Sequence, residues 1–298
     1  MMRKIKEKSI LDKKSAGEVI VFIIVAVLFS VYAVTMIFPL VWLVMSSLKD
    51  TLDYALDIMN LEPFALPDIL KFENYVNVFK VLEYNDNNFA DMVFNSVWYI
   101  VLSVVPHLFC VSLFGYVMAK YTFKGKELIF GIAIFTITVP VVGTGAAYFV
   151  LINQLHIWNT PFYPIVVNLY CFGANFLYMS AVYKGISWSY AEAVFIDGGG
   201  HWTAYFKIMM PQAMPVISTL AITMSITQWN DYMTILLYLP DFPTVASGLY
   251  SASLSINRSG GAVMYYTGLV VSIIPVVILF IVFADKLLKN LSIGGLKG

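Results

Sequence analysis

The chain has 298 residues, 60% hydrophobic and 12% charged, with a mean hydropathy of +0.79. A soluble domain is about 45–50% apolar and about 25% charged, so this sequence cannot clothe a globule for water. Eighteen basic and eighteen acidic residues cancel, which removes any global field for nucleic acid; an integral membrane protein is left, and the helical spans below make it all-α.

Crossing a hydrocarbon core of about 30 Å takes about 20 apolar residues. Six stretches qualify: Val19 to Ser47, Met92 to Met118, Leu128 to Ile152, Phe162 to Tyr183, Ala213 to Leu239 and Val263 to Leu287. Residues 1–18 form a basic N-terminal segment with six Lys/Arg. The apolar run behind it is far longer than a signal h-region and has no small-residue cleavage site, so it reads as an uncleaved span. The 48–91 loop holds nine acids against three basic residues.

Pro39, Pro106, Pro140 and Pro275 lie in or near spans, where neighbouring protein or water must satisfy the released backbone groups. Cys110 and Cys171 sit in apolar runs and behave as small hydrophobes; two cysteines cannot complete a zinc site. Asn168, Asn175, Gln228, Asn230 and Asp231 are polar groups within apolar sequence. Asp231 falls near the far end of the fifth span, which suits a solvated or hydrogen-bonded helix end.

Lys/Arg residues set the orientation. Fourteen lie in the N-terminal segment, the 119–127 and 184–210 segments and the tail, and four in the alternate loops. That bias predicts six spans with both termini in the cytoplasm.

The segment from Ser187 to Pro211 carries the most information. Ser189 and Glu192 have the spacing of a capping box. About eight helical residues, Ser189, Tyr190, Ala191, Glu192, Ala193, Val194, Phe195 and Ile196, can follow before Asp197 and the glycines Gly198, Gly199 and Gly200. Glycine permits a left-handed turn that stops the helix. A second amphipathic run leads to Pro211 and Pro215. Such a short helix, with Ala191, Ala193, Val194 and Ile196, cannot bury its apolar side alone. It suits either a groove on a partner or the lipid headgroups, and spacing alone does not separate the two.

Glu192-Ala193-x-x-x-Asp197-Gly198, followed by Pro211 and Pro215, resembles the EAA loop of permease subunits in binding-protein-dependent ABC importers. Phe72-Glu73-Asn74-Tyr75, Asn95-Ser96, the run Gly115 to Lys126 and Trp229-Asn230-Asp231 resemble patterns of the carbohydrate branch. Gly294-Gly295-Leu296-Lys297-Gly298 is similar to the C-terminus of the maltose-type second permease subunit. Two departures stand out: Val194 replaces a small residue, and Gly199 stands where Ala is usual.

The resemblance implies a type I importer transmembrane domain over residues 19–298, with its coupling loop at about 187–211 and a tail at 288–298. It implies a bacterial cytoplasmic membrane protein that works with a second, distinct permease subunit, a cytoplasmic ATP-binding dimer and an extracellular solute-binding protein. The cargo it implies is a sugar or oligosaccharide. It assigns ATPase coupling to Ser189, Tyr190, Ala191, Glu192, Ala193, Val194, Ile196, Asp197, Gly198 and Gly199, and an ATPase-contacting tail to Gly294–Gly298.

The chain lacks a G-x-x-x-x-G-K-[ST] phosphate loop, so ATP hydrolysis belongs to a partner. His107, His156 and His201 are scattered and read as packing or polar-edge residues. No catalytic, cofactor or metal site is expected. The alternative reading is a stand-alone ion-coupled transporter, for which Asp231 is the obvious coupling acid; the spans otherwise contain almost no central carboxylates.

Overall fold

The computed structural model describes residues 16–139, 143, 145–259 and 261–293. Residues 1–15 of the basic segment, Pro140 and the tail Gly294–Gly298 lie outside the described residues.

The first predicted span is a single helix, α1 (Ala16–Ser47), and its most apolar stretch has no protein cover. Asp50 caps α2 (Thr51–Met59) by accepting from the Leu52 N–H at 2.9 Å. The loop is tied down by a buried Lys49–Asp57 ion pair and by Asn74, whose Nδ2 donates to the carbonyls of Ser47 and Lys49. Next come α3 (Asn74–Val81) and a hairpin of β1 (Glu83–Tyr84) and β2 (Asn87–Asn88). Its turn residues, Asn85 and Asp86, both have positive φ, as a tight two-residue hairpin requires. Asn88 then caps α4 (Phe89–Lys120) in a reciprocal box with Asp91.

The third and fourth predicted spans are not continuous. The third divides into α5 (Lys126–Thr138) and α6 (Gly145–Gln154). Val139, the residue before Pro140, is extended (φ −93°, ψ 109°), because proline disfavours helical geometry at its predecessor. The fourth divides into α7 (Phe162–Asn168) and α8 (Ala174–Gly185). Gly173 at that break has φ 132°, which side chains rarely allow.

Beyond α8 lie α9 (Ser189–Ile196), α10 (His201–Ala204), a π-helical turn (Tyr205–Met209) and α11 (Met210–Trp229). The fifth predicted span is thus displaced: helix runs unbroken from His201 to Trp229 and stops before Asp231. The second amphipathic run is therefore no separate surface helix. Pro211 explains the π turn. It lacks an N–H and its ring crowds the carbonyl four residues earlier, while the wider turn lets the Met210 N–H reach the Tyr205 carbonyl.

The chain closes with α12 (Met233–Tyr238), α13 (Val245–Ser259) and α14 (Ala262–Ile293). Among the described residues four helices, Gly17–Ser47, Phe89–Lys120, His201–Trp229 and Ala262–Phe283, are long and apolar enough to cross a membrane.

The main core lies where α4 meets α8 and the His201–Trp229 helix. Val111, Tyr116 and Met118 pack there against Phe176, Met179, Tyr183, Tyr205 and Met209. Two buried tyrosines share one hydroxyl: Tyr205 donates to Ser112 Oγ at 3.0 Å, and Tyr183 OH lies 2.8 Å from the same atom. A smaller core at the Phe89 end joins Phe89, Met92, Trp229, Val245 and Leu249.

Gly115 lets α4 and α8 approach. A Cβ there would lie 2.9 Å from Met179 Cβ and 3.0 Å from the Ser180 backbone nitrogen. Backbone cannot yield as a side-chain tip can, so Gly115→Ala is expected to destabilise the fold by about 1–3 kcal/mol. A clear drop in melting temperature of the detergent-solubilised protein, set beside Gly131→Ala where nothing is within 4 Å, measures it.

Candidate functional site

Helix α9 is one residue longer at its start than the Ser189–Glu192 spacing predicts, and the capping box does not form. Trp188 has helical φ/ψ at the N-cap, and its carbonyl accepts from the N–H groups of Ala191 and Glu192. Ser189 is already helical, and the Ser187 hydroxyl takes its N–H at 3.3 Å.

The helix ends as the glycines predict, though they do different work. Gly198 has φ 83°. Its N–H bonds the Phe195 carbonyl at 3.1 Å, and that of Gly199 bonds the Val194 carbonyl at 2.8 Å. This pair of bonds is a Schellman cap. Gly199 needs no positive φ but has no room for a side chain. A Cβ on it would sit 2.5 Å from Val194 Cγ1 and 3.0 Å from the Val194 carbonyl oxygen.

The two faces of α9 differ. Trp188, Ala191, Val194 and Phe195 turn toward the main core, with Ala191 fully buried. Aromatic rings hold this seat: Trp188 packs edge-on against Phe195 at 5.9 Å and against Tyr121 at 5.6 Å, and Phe195 lies 4.9 Å from His201. Tyr121 OH and His201 Nδ1 are 2.8 Å apart, so the end of α4 is bonded to the start of the His201–Trp229 helix. His201 is the packing and polar-edge residue expected of it.

Tyr190, Glu192, Ala193, Ile196 and Asp197 face outward, with Ile196 85% exposed. The apolar side imagined from sequence is therefore divided: Ala191 and Val194 are used internally, and Ala193 and Ile196 remain for another surface. Among the described residues Glu192 and Asp197 make no ion pair. Trp188, Phe195 and Tyr121 were missed. The seven-residue spacing of Trp188 and Phe195, two turns on one helix face, was the available signal.

Asp231 sits at the junction of α11 and α12. Its carboxylate accepts from the Thr234 N–H at 3.1 Å and from Tyr99 OH at 3.2 Å. It is the hydrogen-bonded helix end expected from its position, committed to the fold. His107 Nε2 lies 3.2 Å from Asn175 Nδ2, and Asn168 Nδ2 donates to the Pro164 carbonyl at 2.7 Å.

Residues 111–292, which include α9 and the rings that seat it, match the family described as binding-protein-dependent transport system inner membrane component. The chain belongs to that family. It is a multi-pass permease subunit of the inner membrane, of the kind whose ATPase is a separate chain.

The diacetylchitobiose uptake system permease protein NgcG of Streptomyces coelicolor is 26% identical, the match covering 88% of this chain and 85% of NgcG. The arabinooligosaccharides transport system permease protein AraQ of Halalkalibacterium halodurans is 28% identical, covering 91% and 94%. In fold, the permease resembles a chain from the crystal structure of a bacterial ABC transporter involved in the import of the acidic polysaccharide alginate. The TM-score is 0.73 at 22% identity, over 92% of this chain and 98% of that one.

Seen in this permease, Val194 and Gly199 are one compensated change, because the larger side chain occupies the volume the missing Cβ leaves. Gly199→Ala is expected to overpack the cap by about 1–3 kcal/mol, and Val194→Ala with Gly199→Ala to recover most of that loss. A double-mutant cycle on thermal melting of the purified permease measures the coupling; additive effects would separate the two positions.

Proposed function

We propose that this chain forms part of the translocation path of an ATP-driven importer for a sugar or oligosaccharide and couples to a separate ATPase through α9. Its six membrane crossings are α1, the broken pairs α5–α6 and α7–α8, α4, the His201–Trp229 helix and α14, with both termini in the cytoplasm. The excess of Lys/Arg on that side supports the orientation. A distinct companion permease and an extracellular solute-binding protein complete the assembly. We assign a further ATPase contact to the tail Gly294–Gly298.

The observation that carries the coupling role is the division of α9. Its inner face is locked to the main core by Trp188, Ala191 and Phe195, so a force on the helix is passed inward. Its outer face offers Tyr190, Ala193 and Ile196 to a groove in the helix-in-groove manner, flanked by Glu192 and Asp197 for basic residues. Binding of ATP closes the ATPase dimer and draws α9, with the helices bonded to it, into the outward-open arrangement; hydrolysis resets it. The named relatives, transporters of diacetylchitobiose and arabinooligosaccharides, support a saccharide cargo. Asp231, bonded to Tyr99 and Thr234, lends no support to ion coupling.

The test is uptake by proteoliposomes holding the complete complex, with ATP on the ATPase side. ATP-dependent sugar uptake is expected, and uptake driven by a proton gradient without the ATPase would overturn the reading. Gly198→Pro fixes φ near −65° where the chain needs 83°. That variant, and Glu192→Ala combined with Asp197→Ala, are expected to lower uptake by at least about tenfold, equivalent to about 1.4 kcal/mol, while membrane insertion and ATP hydrolysis persist. Unchanged uptake in both would remove α9 from the coupling role.

A further inference from the structure

Helix α11 carries a polar row along its length. Thr219, Thr223, Thr227 and Asn230 recur at intervals of three or four and so share one face. Thr223, Thr227 and Asn230 are exposed, while Ala213, Ile217, Ile222 and Trp229 on the other side are buried. Over residues 262–283 of α14, the exposed large side chains are aliphatic or aromatic, such as Ile278 and Ile281. Polar side chains within spans characteristically face protein or a water-filled path.

The hydrogen bonds specify what the row can offer. Thr223 Oγ1 donates to the Thr219 carbonyl at 3.1 Å and Thr227 Oγ1 to the Thr223 carbonyl at 3.0 Å. Their protons are used, so each hydroxyl has acceptor capacity left. Asn230 Nδ2 donates to the Ile226 carbonyl at 2.7 Å, which leaves its side-chain carbonyl oxygen as a further acceptor. Successive threonines are about 6 Å apart along the axis. No Lys, Arg, Asp or Glu occurs in α11, so the row has no cation for a carboxylate or phosphate.

At Asn230 the row enters a cleft of about 340 Å³ lined by Trp229, Tyr232, Tyr250 and Tyr265. Tyr232 and Tyr250 stack at 4.4 Å, and Trp229 is oriented by its Nε1 bond to the Ser272 carbonyl at 3.2 Å. Acceptors for hydroxyl protons beside apolar ring faces for C–H surfaces match a neutral saccharide.

We propose that this row and its aromatic cleft are the surface this chain contributes to the sugar path, and that the surface is built for an uncharged saccharide. The proposal rests on the importer reading above and adds the residues and the charge of the cargo.

The experiment uses the complete complex in nanodiscs, with Cys110→Ser and Cys171→Ser as background. Thr223→Cys and Thr227→Cys are expected to react with the impermeant cationic thiol reagent MTSET at least about tenfold faster than Ile281→Cys on α14, because only the row borders water. Vanadate trapping of the ATPase is expected to change the two rates. Labelling as slow as at Ile281→Cys in every nucleotide state would overturn the proposal and assign the row to lipid or the companion permease.

In proteoliposomes, arabinotriose, maltotriose and diacetylchitobiose are the neutral probes and trigalacturonate the anionic one. Thr223→Val combined with Thr227→Val preserves shape but removes the acceptors. It is expected to cut neutral-sugar uptake about tenfold, as loss of roughly 1.4 kcal/mol would, with binding-protein-stimulated ATP hydrolysis retained. Parental complexes that import only trigalacturonate, or uptake unchanged in the valine variant, would overturn it. Failure of ATP-driven uptake in the parental complex strikes the importer reading instead, and the labelling rates still decide whether the row borders water.

Discussion

At Gly115 the backbones of α4 and α8 come within a distance that a single methyl group would close. Interiors pack as densely as organic crystals, so this contact sets how every later element is placed. It fixes α8 against α4 and brings Tyr183 to Ser112. Ser112 in turn receives Tyr205 from the π turn. Three helices are joined at one hydroxyl because the first two touch at a glycine. The position of α9 follows, since only Ile186, Ser187 and Trp188 separate it from the end of α8.

The seat of α9 repeats this logic at smaller scale. Ala191 is fully buried on the helix face that carries Trp188 and Phe195, and Gly199 is bare because Val194 fills its space. Size at these positions is set in pairs. The departures from the familiar loop pattern therefore leave the cap intact, with all of its hydrogen bonds formed. Exposed residues on the same helix carry no such constraint from this chain, and their identity answers to whatever they meet.

Sequence made the long apolar helices legible, because hydropathy over 20 or more residues has few competing explanations. It failed where a break depends on one dihedral angle. The 128–152 and 162–183 runs carry no charge, and their interruption is visible only as Val139 before Pro140 and as Gly173. The fifth span was misplaced for a related reason: Pro211 looked like an entry point, yet a π turn carries the helix straight past it. The end of α9 was legible through Asp197-Gly198 and the glycine that turns left-handed. Its capping box was misread because Ser187, two residues earlier than needed, takes the N–H of Ser189. Which alanine faces inward depends on rings far away in sequence, such as Tyr121, and no local pattern encodes that.

The unbroken helix from His201 to Trp229 has a mechanical meaning. Its 29 residues span about 43 Å at about 1.5 Å per residue, with no loop at which motion could dissipate. Its first residue is bonded to Tyr121 and its last is clamped to Ser272. A rigid rod held at both ends turns rather than bends. A tilt of about 10° about its middle would carry each end roughly 4 Å in opposite directions, given that length. The single π turn, only a few residues from the loop, is the sole place where the rod is wound differently. It lies at the α9 end, so a displacement that enters there meets the change of winding before it meets the regular helix.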